Sequence, residues 1–90
     1  MSEMQTYVIV VEDEPQIRRF ICDALQRDDC GSFPAGTARQ GLNEAAAGKA
    51  DLVILDLGLP DMDGLEFIRN LRTWSPVPIL ILSARSAERE

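Results

Sequence analysis

The 90 residues of this chain suffice for one small domain and exclude a second, because a second hydrophobic core could not be buried at that length. Hydrophobic residues make up 46% of the sequence and charged residues 27%, which is typical of a globular protein, and no apolar run is long enough to cross a bilayer. The net charge of −6 argues against nonspecific nucleic-acid binding by this segment and permits a cation site.

The first predicted strand covers residues 7–11, a β-branched run that ends abruptly on acidic residues, among them Glu12 and Asp13. A helix is predicted to begin at Pro15, because proline fits the first turn of a helix. The apolar residues that follow have the spacing i, i+3, i+4, i+7 and i+8, and they are Ile17, Phe20, Ile21, Ala24 and Leu25. This spacing places them on one side of the helix, which must therefore pack on another surface.

A short second strand is predicted over residues 32–35. Pro34 has no N–H to donate to a neighbouring strand, so this strand is expected at an edge of the sheet. Thr37 and Gln40 have the spacing of a capping box and predict that a second helix begins there. Gly48 is placed to end that helix.

Residues 52–55 are an unbroken apolar run, which predicts a strand buried on both faces in the middle of a parallel sheet. The run ends on Asp56, at the carboxyl end of the strand, where open α/β sheets bind their ligands. Gly58, Pro60 and Gly64 then mark a tight loop. A functional site at Asp56 is the leading interpretation, and the alternative is that Asp56 merely caps the loop.

Asp63 and Glu66 repeat the capping pattern and predict a third helix. Its apolar face consists of Phe67, Ile68, Leu71 and Trp74. The prolines beyond it end the helix, and residues 77–82 form a nearly all-apolar fourth strand that is followed by Ser83.

Strands that alternate with helices predict a parallel α/β sheet with right-handed crossovers and helices on both faces. The expected architecture is a flavodoxin-like, doubly wound sheet in the strand order 2-1-3-4, with the strand that contains Pro34 outermost. The carboxyl ends of the first, third and fourth strands then meet at one edge of the sheet. That edge contains Glu12, Asp13, Asp56 and Ser83.

Three carboxylates in one small site repel each other, and such crowding is tolerated when a hard cation lies among them. Mg²⁺ is the natural candidate, because it takes carboxylate and carbonyl oxygens and keeps a position for a phosphoryl oxygen. Asp13 and Asp56 could bind it directly, Glu12 through water, and Gly58 through its main-chain carbonyl. Asp56 could then attack a phosphoryl group as a nucleophile, and the Ser83 hydroxyl could donate to a phosphoryl oxygen.

This pattern of Glu12 with Asp13, the run DLGLPDMDG over residues 56–64, and Ser83 resembles the CheY-like receiver domain of bacterial two-component response regulators. The run over residues 66–85 further resembles the response regulators of Kdp potassium-uptake operons. The resemblance implies that Asp56 is the phosphoacceptor and that Ser83 is the switch hydroxyl. It also implies a magnesium site and a sensor histidine kinase as partner. Arg18 and Arg19 on the first helix are interpreted as a solvated face, and the alternative, from the resemblance, is that this helix helps to dock the kinase.

Receivers of this family contain five β/α units, so the resemblance implies that residues 1–90 are a receiver domain that is incomplete at its C-terminus. This segment would then lack the fifth strand, the last helices and the lysine that contacts the phosphoryl group in the family. Lys49 is not expected to replace that lysine, because it is predicted to lie at the opposite end of the sheet. The apolar strand over residues 77–82 is then an exposed edge, through which a homodimer could form. The full-length protein is expected to control transcription through a DNA-binding domain outside this segment.

The same residues raise three alternatives to this function. Phosphatases of the haloacid-dehalogenase type need a second aspartate where this chain has Gly58, so a turnover enzyme is not expected. The ligand spacing around Asp61 and Asp63 is wrong for an EF-hand, and these residues are interpreted as a turn and a helix cap. A receiver-like interaction module that is never phosphorylated, or an inactive fragment, stays open.

The cellular location is inferred from the cysteines and from the N-terminus. Cys22 and Cys30 have no histidine to complete a metal site and are interpreted as free thiols of a reducing compartment. The first residues are polar, so no signal peptide is predicted. A cytoplasmic protein without a membrane partner is expected.

Overall fold

The structure is a computed structural model that describes residues 6–82. Four parallel strands form one sheet: β1 (Thr6–Val11), β2 (Cys30–Ala35), β3 (Leu52–Asp56) and β4 (Ile79–Leu82). The helices between them are α1 (Pro15–Arg27), α2 (Ala38–Ala46) and α3 (Gly64–Arg72). The strand order is β2-β1-β3-β4, so the predicted doubly wound sheet is confirmed. None of the helices described between residues 6 and 82 is long and apolar enough to cross a membrane.

The two faces of the sheet are covered unequally. On one face α2 and α3 pack over a large buried cluster, which includes Ile9, Val11, Val53, Leu55, Phe67 and Leu71. On the other face the buried residues Val8, Val10 and Ile54 form a small cluster, against which α1 places Ile21 and Leu25. Within residues 6–82, α1 has no buried residue, and its Phe20 is 69% exposed. The apolar side of α1 is therefore only half covered.

The second strand begins at Cys30, earlier than the predicted residue 32. Helix α1 ends at Arg27, and Asp29 adopts a φ of 64°, a left-handed conformation that a short polar side chain tolerates. The chain can therefore turn from the helix into the strand within two residues. The predicted edge position is confirmed, with Pro34 opposite Val10 of β1 and with β2 outermost.

The fourth strand begins at Ile79, later than the predicted residue 77. The N–H of Val77 donates to Ser75 Oγ at 3.2 Å, so Val77 belongs to the turn before the strand. Leu80 and Ile81 are exposed, as expected for an apolar strand at the edge. Ser83, the predicted switch hydroxyl, lies outside the described residues.

The helix caps follow the sequence with one shift. Thr37 Oγ1 accepts the N–H of Gln40 at 3.1 Å, as the capping box predicts. The Gln40 side chain accepts from the Gly36 N–H at 2.9 Å, one residue earlier than the box requires. Asp63 caps α3 as predicted, because its Oδ1 accepts the N–H of Leu65 at 3.1 Å.

The prediction that Trp74 belongs to the apolar face of α3 is wrong. The helix ends at Arg72, and Trp74 is 45% exposed. Its indole N–H donates to Asn70 Oδ1 at 3.1 Å, four residues earlier in the chain. The buried side of α3 consists of Phe67 and Leu71 together with Gly64.

Candidate functional site

The predicted acidic residues meet at the carboxyl edge of the sheet. Strands β1 and β3 are neighbours with Val11 opposite Leu55, so the residues that follow, Glu12 and Asp56, leave the sheet side by side. Glu12, Asp13 and Asp56 each offer a carboxylate oxygen, and these three atoms all lie within 4.8 Å of one another. Residues that are far apart in sequence thus converge at one point, as the strand order predicted.

Glu12 is the most constrained member of the group and is only 6% exposed. Its N–H donates to the Ala35 carbonyl at 3.0 Å, which ties it to the end of β2. Its carboxylate accepts the N–H of Glu14 at 3.0 Å, and its carbonyl accepts from Arg18 Nη1 at 2.8 Å. Backbone and side chain are therefore both fixed.

Burial and the neighbouring negative charges both disfavour the ionised form of Glu12. Burial raises the pKa of its carboxyl above the usual value of 4.5, and the charges of Asp56 and Asp13 raise it further. The hydrogen bond from the Glu14 N–H lowers the pKa but does not reverse the direction. Three carboxylates in this geometry are a donor set made only of oxygen, and a hard divalent cation would offset their repulsion.

Asp56 is half-buried at the end of β3, and the exposed Asp13 borders it towards solvent. Asp56 Oδ1 accepts the N–H of Gly58 at 3.4 Å, which is longer than a typical N–H to oxygen hydrogen bond. This contact caps the loop only weakly, and the role of Asp56 stays a prediction. Gly58 is half-buried two residues beyond, where its carbonyl remains a predicted ligand.

The residues present fit a Mg²⁺ ion. This ion prefers oxygen ligands, is usually bound by one or two carboxylates, and keeps several waters. The cluster supplies the carboxylates of Asp13 and Asp56, with Glu12 buried behind them, and the exposure of Asp13 leaves room for water. The predicted set of ligand residues thus comes together in the structure, apart from the contribution of the Gly58 carbonyl, which stays a prediction.

Two residues around the site have structural contacts that the sequence did not predict. Arg18 was interpreted as part of a solvated or kinase-docking helix face, yet its guanidinium reaches the main chain of Glu12. Asp61 was interpreted as a turn residue, yet its carboxylate accepts the N–H groups of Ala38 and Arg39 at 2.8 and 3.1 Å. The loop after β3 is thereby bound to the first turn of α2. The only sequence signal for either contact is the charge itself.

Comparison with known proteins agrees with this architecture. Residues 8–90 match the family described as the response regulator receiver domain. The KDP operon transcriptional regulatory protein KdpE of Escherichia coli (strain K12) is 59% identical over 85 residues, which cover 94% of this chain. The matched part is 38% of the length of that regulator, so this chain spans well under half of it.

Two solved structures contain similar domains. The response regulator TrrA of Thermotoga maritima, in complex with Mg²⁺ and BeF, superposes with a TM-score of 0.85 and 32% identity, covering 94% of this chain and 75% of that one. TrrA in complex with the histidine kinase ThkA gives the same TM-score of 0.85 and 32% identity, over 96% of this chain and 75% of that one.

Proposed function

The chain belongs to the response regulator receiver domain family, and we propose that it accepts a phosphoryl group on Asp56 in two-component signal transduction. Within the family it is similar to the regulators of Kdp operons, as the run over residues 66–85 predicted. The observation that supports the proposal is the convergence of the Glu12, Asp13 and Asp56 carboxylates within 4.8 Å at the carboxyl edge of the sheet.

The proposed reaction transfers the phosphoryl group from a histidine of a sensor kinase or from a small phosphodonor. A carboxylate oxygen of Asp56 attacks phosphorus, the new O–P bond forms, and the bond to the donor breaks, with the donor atom keeping the electron pair. The likeness to TrrA, which has been solved with a histidine kinase, supports a kinase as partner. Because the acceptor is a side chain of the protein itself, the reaction is not that of a turnover enzyme.

We propose that Asp13 and Asp56 bind Mg²⁺ directly, Glu12 through water, and Gly58 through its carbonyl. When bound, this ion would offset the negative charge of the carboxylates and of the incoming phosphoryl oxygens. The oxygen-only donor set and the likeness to TrrA, solved with Mg²⁺ and BeF, support the assignment. Ser83, by family resemblance, would donate its hydroxyl proton to a phosphoryl oxygen.

We further propose that the reaction controls transcription. The similar Kdp regulator is named as a transcriptional regulatory protein, which supports control of transcription by the full-length protein. The net charge of −6 makes this segment a poor nucleic-acid binder, so DNA contacts are assigned to another domain. We place the reaction in the cytoplasm.

The proposal is tested by phosphorylation with acetyl phosphate or a cognate kinase. Asp56→Asn removes the nucleophile and keeps the shape, so the alkali-labile label is expected to disappear. Asp63→Asn is the matched control, since Asp63 lies in the same loop but only caps α3, and it should be labelled like the wild type. Undiminished labelling of Asp56→Asn would refute the acceptor, and an unlabelled wild type would favour the interaction module.

A further inference from the structure

Arg18 differs from its neighbours at the start of α1. Arg19 beside it is exposed, whereas Arg18 is half-buried and its side chain folds back along the helix towards β1. Its Nη1 donates to the carbonyl of Glu12 at 2.8 Å. This bond to a main-chain oxygen gives Arg18 a structural contact that its exposed neighbour Arg19 is not shown to make among residues 6–82.

The bound carbonyl belongs to the peptide group that joins Glu12 to Asp13. A peptide group is planar, so a hydrogen bond that fixes its oxygen also restricts the main chain on the Asp13 side. The other two hydrogen bonds of Glu12, from its N–H to Ala35 and from the Glu14 N–H to its carboxylate, act on its N-terminal side and on its side chain. Arg18 therefore binds the main chain between the buried Glu12 and the exposed Asp13.

Space around the guanidinium is limited on the side of β2. A Cβ atom added to Gly36 would lie 3.1 Å from Arg18 Nη1, which is a tight contact. The guanidinium thus fills the gap between the Glu12 carbonyl and the turn that follows β2. A Cβ atom at position 36 would require the guanidinium to shift by a few tenths of an ångström.

We propose that Arg18 is a positioning residue for the magnesium site, because its hydrogen bond to the Glu12 carbonyl holds the peptide that carries Asp13 against the repulsion among the three carboxylates. This inference rests on the proposed function. Without the bond, Asp13 is free to move towards solvent, and the ion would then have to draw it back on binding. The expected result is weaker Mg²⁺ binding, while Asp56 keeps its place at the end of β3.

The test is a titration with MgCl₂ alone, followed by the NMR shifts of the Asp13 and Asp56 amides, so that no phosphodonor or kinase is needed. Arg18→Met keeps an unbranched stem of similar bulk and removes the donor, and we expect affinity to fall about 10-fold, the lower end of the range for residues that orient metal ligands. Arg18→Lys keeps one cationic donor and should recover part of the loss. Arg19→Met is the matched control and should bind like the wild type.

A fourth variant perturbs the same contact without removing the arginine. Gly36→Ala keeps Arg18 but crowds its guanidinium, so its affinity should fall in the same direction as that of Arg18→Met. Equal affinities of wild type, Arg18→Met and Gly36→Ala would overturn the positioning role. If Asp13→Ala also binds like the wild type, the magnesium site itself is refuted, so the two failures can be told apart.

Discussion

Replacing Asp61 by alanine should destabilise the protein in a way that depends on pH. Its carboxylate accepts two main-chain N–H groups, from Ala38 at 2.8 Å and from Arg39 at 3.1 Å, at the positive end of α2. Loss of a helix cap costs about 0.5–2 kcal/mol, and the exposure of Asp61 favours the lower half of that range, because solvent screens charged interactions at the surface. The free energy of unfolding at neutral pH should therefore fall by about 0.5–1 kcal/mol.

The pH dependence follows from the pKa of Asp61. This pKa lies below its usual value of 3.8 in the folded protein, and the main cause is the hydrogen bond from the Ala38 N–H. Between the lowered value and 3.8 the unfolded chain binds more protons than the folded one, so the stabilisation by Asp61 is complete above 3.8 and disappears as the pH falls through the folded pKa. Wild type and Asp61→Ala should converge at acid pH.

Urea denaturation of both proteins across the acid range is the assay, and Thr37→Ala is the matched control. Thr37 caps the same helix through its hydroxyl, which does not titrate, so the loss from Thr37→Ala should not vary with pH in this range. If the loss of unfolding free energy in Asp61→Ala stays constant well below pH 3.8, the hydrogen bonds of the Asp61 carboxylate do not stabilise the protein as we infer.

Two further predictions concern the site and the loop beside it. Because the pKa of Glu12 is raised above 4.5 in the folded protein, its ionised form opposes folding at neutral pH. Glu12→Gln should therefore have a higher melting temperature than the wild type in EDTA, and Mg²⁺ should raise that temperature less. A lower melting temperature of the variant in EDTA would contradict this reasoning. A Cβ at Gly64 would overlap Leu57 Cδ2 and lie 2.9 Å from the Leu57 Cα, so Gly64→Ala should lower the free energy of unfolding by about 1–3 kcal/mol. Leu57→Ala should relieve only part of this loss, because the Cα stays in place, and chemical denaturation of the single and double variants measures both effects; full relief would contradict the backbone clash.

The parts of the fold that the sequence predicted are those with a strong local pattern. The buried run before Asp56 and the β-branched run before Glu12 were predicted as strands, and the expected order, with the Pro34 strand outermost, brings the two carboxylates together as observed. Thr37 and Asp63 were found as caps, because a cap lies within a few residues of the N–H groups it binds.

The parts that the sequence did not predict depend on contacts between distant segments or on backbone conformation. Asp61 binds N–H groups that lie 22 and 23 residues away, and no local spacing reveals such a partner. The early start of β2 depends on the left-handed φ of Asp29, which aspartate permits but does not require. Arg18 has the same local signal as Arg19, and only the path of the main chain at Glu12 distinguishes the two arginines.

The packing of α1 within residues 6–82 connects the proposed metal site to local unfolding. In this segment the helix buries no residue, while α2 and α3 share a core with fully buried side chains, so few buried contacts in the described part of the chain hold α1 to the sheet. Any separation of α1 from the sheet would withdraw Arg18 from the Glu12 carbonyl. A Mg²⁺ ion bound at the proposed site would favour the closed state over the open one, and by linkage it should slow hydrogen exchange along a helix that it is not proposed to contact.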